Sequence, residues 1–399
     1  MNIDVDLDMK VLMVISQFHP IVGGAERQAQ LLSQKLIEKG VDVQIVTGWW
    51  KWGIPKKEMI NGVLVFRNFS FWGMFGIKGL RPLGALTYMI TLAIYLILHR
   101  AKYDIIHVHQ VLYPAFISVL LGKEVLHKPV VVKNACSGLT SDIKQLRQFP
   151  FGNQQLKYLL KRLDCLVTVN VEGAYEFKTI GYPESQIISI PNGVVIPVES
   201  KGHYDHVMRV VTTARLDKQK GIDVLLRAWA KVERIEKTLK LVILGGGPQE
   251  SELKRLSESL EVADSVEFKG MVHNVAEYLR TADLFILSSR AEGLSNALLE
   301  AMSYGIPCIA TKVGGNTEML GEEDKEIRLG EYVIAKNGLL VNPDDVKGLS
   351  EAILYLLRHQ EEREELGRRS RSFIKENYSI DLIADKYIAL YQRMLDRKS

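Results

Sequence analysis

A chain of 399 residues is too long for one ordinary hydrophobic core and predicts two domains. Its 47% apolar and 25% charged residues are the composition of a globular protein, and its three scattered cysteines, Cys136, Cys165 and Cys308, offer no CxxC pair and no metal-ligand spacing. The net charge of +4 is unevenly placed: residues 81–163 carry eleven Lys/Arg against three acids, a local +8 that leaves −4 for the rest.

The opening MNIDVDLDMK is acidic where a signal peptide is basic, which predicts a cytoplasmic chain; cysteines used as small core residues fit the same reducing compartment. Val11–Ile15 is a short apolar strand. Gly23-Gly24 follows in a loop, and Ala25–Lys39 has helical periodicity through Ala29, Leu32, Leu36 and Ile37. Gly40 ends that helix, and Val41–Val46 alternates as the next strand. Trp49, Trp50, Trp52 and Trp72 come next, with Phe69, Phe71 and Phe75, just upstream of the basic region. Aromatics beside cations suit an anionic membrane surface, and equally an apolar ligand site or ordinary packing.

The apolar run Leu83–Leu98 is 16 residues long, whereas a membrane span needs about 20. Thr87, Tyr88, Thr91 and Tyr95 interrupt it, so it predicts a buried or interfacial helix. Residues 49–80 and 134–155 read as loops whose residues carry no readable code. Ile105–Val108, Val130–Lys133 and Cys165–Val169 read as further strands. A linker at Pro191–His206 precedes a second β-α series. Its strands are Val210–Ala214, Leu241–Leu244, Val266–Phe268, Leu284–Leu287, Cys308–Ala310 and Leu339–Val341, and helices near 221–234, 249–260, 274–281, 296–304 and 344–357 alternate with them. That is the pattern of an α/β, doubly wound parallel sheet. Two charged helices, near 361–376 and 381–396, close the chain.

The densest chemistry lies in SSRAEGLSNALLEAM, residues 288–302. Leu284–Leu287 is continuously apolar, as a strand buried on both faces is. Ala297–Met302 favours a helix, with Ser295 or Asn296 as its N-cap. Glu292 then sits on a loop at the carboxyl end of a strand, and Glu300 about one turn into the helix; ligands bind at that edge of open α/β sheets. Eight helical residues span roughly 12 Å. Retaining glycosidases need their carboxylates about 5–5.5 Å apart and inverting ones about 6.5–9.5 Å, so the spacing argues against glycoside hydrolysis.

Arg215 and Lys220, in ARLDKQKG, place two cations after the first strand of the second series, suited to stabilising a departing diphosphate. No DxD-like pair occupies a convincing loop, so no metal or cofactor is expected. Gly23-Gly24 lets backbone approach an anion at a helix N-terminus, and Gly245–Gly247 similarly follows a strand and opens a helix. Gly314-Gly315 supplies small residues and backbone N–H groups at the same edge as Glu292. His109, just past the Ile105–Val108 strand, is positioned to bond a sugar hydroxyl, whereas His107, inside the strand, reads as core.

Together these residues resemble glycosyltransferase family 4, retaining enzymes of the GT-B fold. The resemblance is carried by Glu292-x7-Glu300 in EGLSNALLEAMSYGIPCIAT followed by VGGNTE, by ARLDKQKGID, by IPNGV at 190–194, and by GGAER at 23–27 with His109. It implies two Rossmann-like domains facing each other across a cleft: residues 1–195 binding the acceptor, with the final helix, 380–399, packed back on them, and 196–379 binding the donor. It implies that Glu300 binds the ribose of a nucleotide-sugar, that Glu292 contacts the sugar with Gly293 and Leu294 beside it, and that Arg215 and Lys220 hold the diphosphate. Gly23 and Gly24 would lie near the phosphates and His109 near the sugar. The leaving phosphate takes the acceptor proton on the same face, with no dedicated base. Ser295 departs from the proline common in relatives, which implies a looser loop.

The resulting expectation is a hexosyltransferase using a UDP-sugar, with GDP-mannose second. The acceptor would be a lipid-linked or polysaccharide one, at the inner face of an anionic membrane. A nucleotide-sugar epimerase of the same architecture is the alternative; a non-catalytic nucleotide-sugar scaffold does not need all four of Arg215, Lys220, Glu292 and Glu300. The basic region lacks a nucleic-acid-binding module, so no nucleic-acid partner is expected.

Overall fold

A computed structural model describes residues 9–21, 23–71, 81–138, 141–199, 209–321 and 326–397. The chain divides into two compact units, one of residues 1–193 with 380–399 and one of residues 194–379. Trp72, Phe75 and residues 200–206 of the expected linker lie outside the described residues.

The first unit is built on an eight-stranded sheet. Its strands are β1 (Lys10–Ile15), β2 (Asp42–Trp49), β3 (Lys57–Ile60), β4 (Val63–Phe69), β5 (Ile105–His109), β6 (Val130–Asn134), β7 (Cys165–Thr168) and β8 (Ile187–Ser189). Their order across the sheet is β3-β4-β2-β1-β5-β6-β7-β8. Helices α1 (Gly24–Glu38), α2 (Arg81–Leu98), α3 (Tyr113–Ile117), α4 (Asp142–Arg147), α5 (Gly152–Arg162) and α6 (Val171–Thr179) connect them, with a π-helical turn at Ser118–Lys123. Within β1 the faces alternate although every residue after Lys10 is apolar. Leu12 and Val14 pack under α2, α4 and α5, while Val11, Met13 and Ile15 pack under α1 and the C-terminal helix. Burial on both faces is why this strand reads as a run and not as an alternation.

The sheet is not purely parallel. β3 pairs antiparallel with β4 at its edge, joined by Asn61-Gly62 with φ of 48° and 81°. Two positive-φ residues make the kind of turn whose twist suits a hairpin. The segment expected as a loop, 49–80, is therefore partly sheet. Of its described aromatics, Trp49 and Trp50 are more deeply packed than a membrane belt requires, whereas Phe69 is exposed. Trp49 is buried and donates to the Ile54 carbonyl at 3.0 Å, and Trp50 donates to the Ser16 carbonyl; Trp52 is exposed. Arg67 on β4 is buried among Pro55 and His19 carbonyls at 2.8 Å and the Glu58 carboxylate at 2.5 Å.

The second unit holds β9 (Arg209–Thr213), β10 (Lys240–Leu244), β11 (Val266–Gly270), β12 (Leu284–Leu287), β13 (Cys308–Thr311), β14 (Tyr332–Ala335) and β15 (Gly338–Val341), in the order β11-β10-β9-β12-β13-β15-β14. Here too one edge strand, β14, runs antiparallel to its neighbour. Helices α7 (Ile222–Glu233), α8 (Glu250–Ser259), α9 (Val275–Arg280), α10 (Asn296–Ser303), α11 (Gly315–Leu320), α12 (Val346–Arg358) and α13 (Gln360–Asn377) surround the sheet. Trp229 of α7 is fully buried in that core, its indole N–H bonded to Ser265 at 3.0 Å. α14 (Ile380–Asp396) belongs to the first unit, where Ile383, Tyr387 and Tyr391 pack with α1.

Candidate functional site

In the second unit the chain steps outward from β9 to β10 and β11, then returns to place β12 on the other flank of β9. The loops leaving β9 and β12 therefore part at a topological switch point, where α/β sheets bind ligands. Arg215 and Lys220 lie on the first loop, and Glu292, Gly293 and Leu294 on the second. Local sequence does not reveal that these loops adjoin; it depends on strand order.

Hydrogen bonds staple the two loops together. The Gln219 side chain donates to the Ala291 carbonyl at 2.8 Å, the Arg290 N–H to the Gln219 carbonyl at 2.7 Å, and Ser288 Oγ to the Lys220 carbonyl at 3.1 Å. Gly221, at φ 60°, passes so close that a Cβ would stand 2.1 Å from the Ser288 carbonyl oxygen. Arg290 adds a fork, bonding Asp223 through both terminal nitrogens at 2.9 and 2.8 Å and Asp344 through Nε at 2.7 Å. Those two carboxylates hold its guanidinium permanently charged. Nothing in the Arg290 neighbourhood of the sequence signals this; its partners are 67 and 54 residues away.

The charged centre is compact. Lys220 Nζ lies 2.7 Å from Glu292 Oε1, which also accepts from Ser289 Oγ at 2.6 Å. Glu292 is only 7% exposed, so the pair is fixed where screening is weak. Arg215 is held from one side by Asp217, with Nε at 2.6 Å, but its side chain remains 71% exposed. Behind Glu292 runs the loop before α11. Gly314 has φ 48°, and a Cβ there would come 2.0 Å from the Glu292 carbonyl oxygen; the Gly315 N–H donates to the Gly293 carbonyl at 2.7 Å. Only glycine permits that approach.

Ser295 caps α10, accepting from the Leu298 N–H at 3.4 Å, and is itself buried. Of the two N-caps expected, Ser295 and Asn296, Ser295 takes the role and satisfies one of the helix's unpaired donors. Glu300 is half-buried in the second turn of that helix. In Gly245–Gly247, expected as an anion loop, Gly245 and Gly247 also have a packing reason. A Cβ on Gly245 would stand 1.9 Å from the Ala214 carbonyl, and one on Gly247 2.4 Å from that of Leu216. The glycines let this loop lie against the backbone that carries Arg215.

The first unit has its own switch point, between β1 and β5. Ser16 after β1 donates to the Gln110 side chain after β5 at 3.1 Å. Gly23 is the N-cap of α1, and its N–H is taken by the Glu26 carboxylate at 2.9 Å. Gly24 opens the helix beside it, exposed. Burial raises the Glu26 carboxyl above its usual range, against its backbone bonds and His19. His109 is the last residue of β5, not the first of the loop, paired across to Ile15 and Lys133. It is buried, stacked on His107 at 4.3 Å, with Nε2 3.2 Å from the Met13 sulfur. Burial, then the charges of His107 and Lys133, push its imidazole well below the usual range, so it is neutral at pH 7. His107 has the core role expected of it, sharing a 2.7 Å hydrogen bond with the Tyr391 hydroxyl of α14. Two buried groups escaped sequence reasoning. Lys133 bonds Asn192 at 2.9 Å and is pushed by burial down to about 8. Asp142 accepts from the Val111 and Ala135 N–H groups at 2.9 and 3.0 Å and is pushed by burial up to about 6.

The structure therefore brings Arg215, Lys220, Glu292, Gly293, Leu294 and Glu300 to one edge of the second sheet, and Gly23, Gly24 and His109 to the corresponding edge of the first. Two doubly wound domains of this kind are the architecture of the GT-B fold. Family comparison agrees: residues 22–196 match the model "Glycosyltransferase Family 4" and residues 198–373 match "Glycosyl transferases group 1". The chain belongs to glycosyltransferase family 4. It is 25% identical over 390 residues to N-acetyl-alpha-D-glucosaminyl L-malate synthase of Bacillus anthracis, covering 94% of this chain and 96% of that protein. It is 28% identical over 330 residues to a phosphatidylinositol N-acetylglucosaminyltransferase subunit from Arabidopsis thaliana, covering 79% of this chain and 70% of that protein. Among solved structures, Anabaena HepE in complex with UDP-glucose is similar at TM-score 0.73 and 16% identity, covering 96% of this chain and all of that one.

Proposed function

We propose that the enzyme is a retaining transferase that moves a sugar from a UDP-sugar to a lipid-linked acceptor. The observation that carries this reading is the Lys220–Glu292 pair, fixed at the β9/β12 switch point beside the exposed Arg215. As the bond between the anomeric carbon and the diphosphate breaks, the departing oxygen gains charge, which Arg215 and Lys220 stabilise in place. Glu292 orients the sugar and Glu300 the ribose. The acceptor hydroxyl bonds to the anomeric carbon from the face the diphosphate leaves, and its proton passes to the leaving phosphate. The residues of the second unit supply this charge without a metal. In the first unit, Gly23 and Gly24 at the start of α1 and neutral His109 are the groups to test for contact with the donor.

UDP is favoured over GDP because a solved neighbour of the same fold holds UDP-glucose. The names of two relatives make N-acetylglucosamine the first sugar to try, and one of them makes a lipid acceptor the first class. A thermal-shift screen of UDP-, GDP- and ADP-sugars tests the donor, since a ligand that binds only the folded state raises its melting temperature. UDP-N-acetylglucosamine should give the largest shift; a larger one from GDP-mannose would reassign the base. Formation of product only when acceptor is added separates transfer from epimerisation.

A further inference from the structure

α2 is a surface helix without a polar face. After Arg81 no charged residue occurs until Arg100. Ala85, Tyr88, Leu92, Tyr95 and Leu96 face the core of the first unit. Leu83, Leu86, Ile90, Ile94 and Ile97 are 40–53% exposed, and Leu98 is 73% exposed. At 3.6 residues per turn the first five fall within an arc of about 80° and run roughly 21 Å along the helix. A helix on the surface of a soluble domain ordinarily presents charged and polar groups there. The residues that break the apolar run do not fill that face. Tyr88 bonds the Ile15 carbonyl at 3.3 Å, and the Thr91 hydroxyl bonds the Phe69 carbonyl at 2.8 Å. Among the described residues no helix is long and apolar enough to cross a membrane.

The surroundings indicate what covers the stripe. α2 packs beside α3 and the π-helical turn, and α3 beside α5. This layer exposes Arg100, Lys102, Lys157, Lys161 and Arg162, together with the apolar Val125 and Phe151. The acids near them are Asp104, Glu124 and Asp164, each within ion-pair reach of a cation: Lys128, Arg162 and Lys123. An apolar stripe beside surplus cations is complementary to an anionic bilayer, into whose headgroup boundary such a helix settles. A two-fold contact with a second copy would instead set the same cations against one another. The bonds from Tyr88 and Thr91 also tie α2 to Ile15 and Phe69, at the carboxyl ends of β1 and β4, the edge where ligands bind.

We infer that the exposed face of α2, Leu83 to Ile97, is the surface by which the enzyme docks on an anionic lipid bilayer. This deepens the reading of a lipid-linked acceptor and rests on it for its purpose, though not for its test. The full-length protein is sedimented with phosphatidylcholine vesicles, with and without phosphatidylglycerol, over a range of salt concentrations. Binding is expected with phosphatidylglycerol, weaker at high salt, and reduced tenfold or more by Ile90→Glu with Ile94→Glu. Arg100→Glu with Lys102→Glu should weaken binding to the anionic vesicles alone. The donor-induced thermal shift should be unchanged in both variants, which shows that they fold. No sedimentation of the wild type, or undiminished sedimentation of the Ile90/Ile94 variant, overturns the inference. So does a wild-type dimer in light scattering that the same variant converts to monomer, which assigns the face to a second copy. Vesicle binding without transfer to any lipid acceptor would uphold the docking face and remove only the acceptor reading.

Discussion

The two switch points handle charge in opposite ways. In the second unit, cations and carboxylates stand at the sheet edge as formed ions, tethered by neighbours: Lys220 to Glu292, Arg215 to Asp217, Arg290 to Asp223 and Asp344. In the first, the titratable groups beneath the edge are buried and shifted toward neutrality: His107 and His109 downward, Lys133 down to about 8, Asp142 up to about 6. The contrast suits a division of labour. A nucleoside diphosphate needs fixed positive charge, whereas a sugar hydroxyl needs neutral hydrogen-bonding groups held rigidly. On the proposed reading, one architecture serves two chemistries by changing what its loops and strand ends carry.

The comparison can be broken by substitution. The largest effect is expected at Lys220→Ala, which should lower kcat about 10²–10³-fold, the scale for losing one preorganised charge-stabilising group. Steady-state kinetics check it, and an unchanged kcat would remove the leaving-group role. Gly314→Ala comes next. It forces a Cβ against the Glu292 carbonyl at a positive φ, and should cost about 1–3 kcal/mol of stability, read by denaturant unfolding. Ser295→Ala removes the α10 cap and should cost about 1 kcal/mol, read the same way; a neutral result would mean the hydroxyl holds nothing. The smallest effect at neutral pH concerns Lys133. Its folded pKa is depressed, so between about pH 8 and the unfolded value the unfolded chain binds more protons, and stability rises with pH in that window. Lys133→Met should abolish this rise while leaving the slope below pH 7 unaltered, as pH-dependent melting curves would show.

Much of this was legible in the chain itself. Continuous apolar runs marked the buried strands, as at Leu284–Leu287, and residue type with spacing drew attention to Arg215, Lys220, Glu292 and Glu300. What escaped falls into two kinds. The β3-β4 hairpin carried its own signal, Asn61-Gly62, which the surrounding tryptophans obscured. The pairing of Lys220 with Glu292, and the Arg290 staple, had no local signal. They follow from β12 lying beside β9, a consequence of global strand order. Gly245 and Gly247 show that a glycine at a strand-to-helix junction can also serve to admit a neighbouring backbone, which the local sequence does not signal. The α2 stripe was also ambiguous, because an apolar run does not say which of its faces is covered.

The central claim is that Glu292 and Glu300 bind different parts of one donor and are not an acid–base couple. Calorimetric titration of UDP and of the UDP-sugar into wild type, Glu292→Gln and Glu300→Ala tests it most directly. Glu300→Ala should weaken UDP itself about tenfold or more, as expected for losing hydrogen bonds to a charged group. Glu292→Gln should leave UDP affinity intact and weaken only the sugar-bearing donor. Undiminished UDP affinity in Glu300→Ala, or equal losses for UDP and UDP-sugar in Glu292→Gln, would contradict that division.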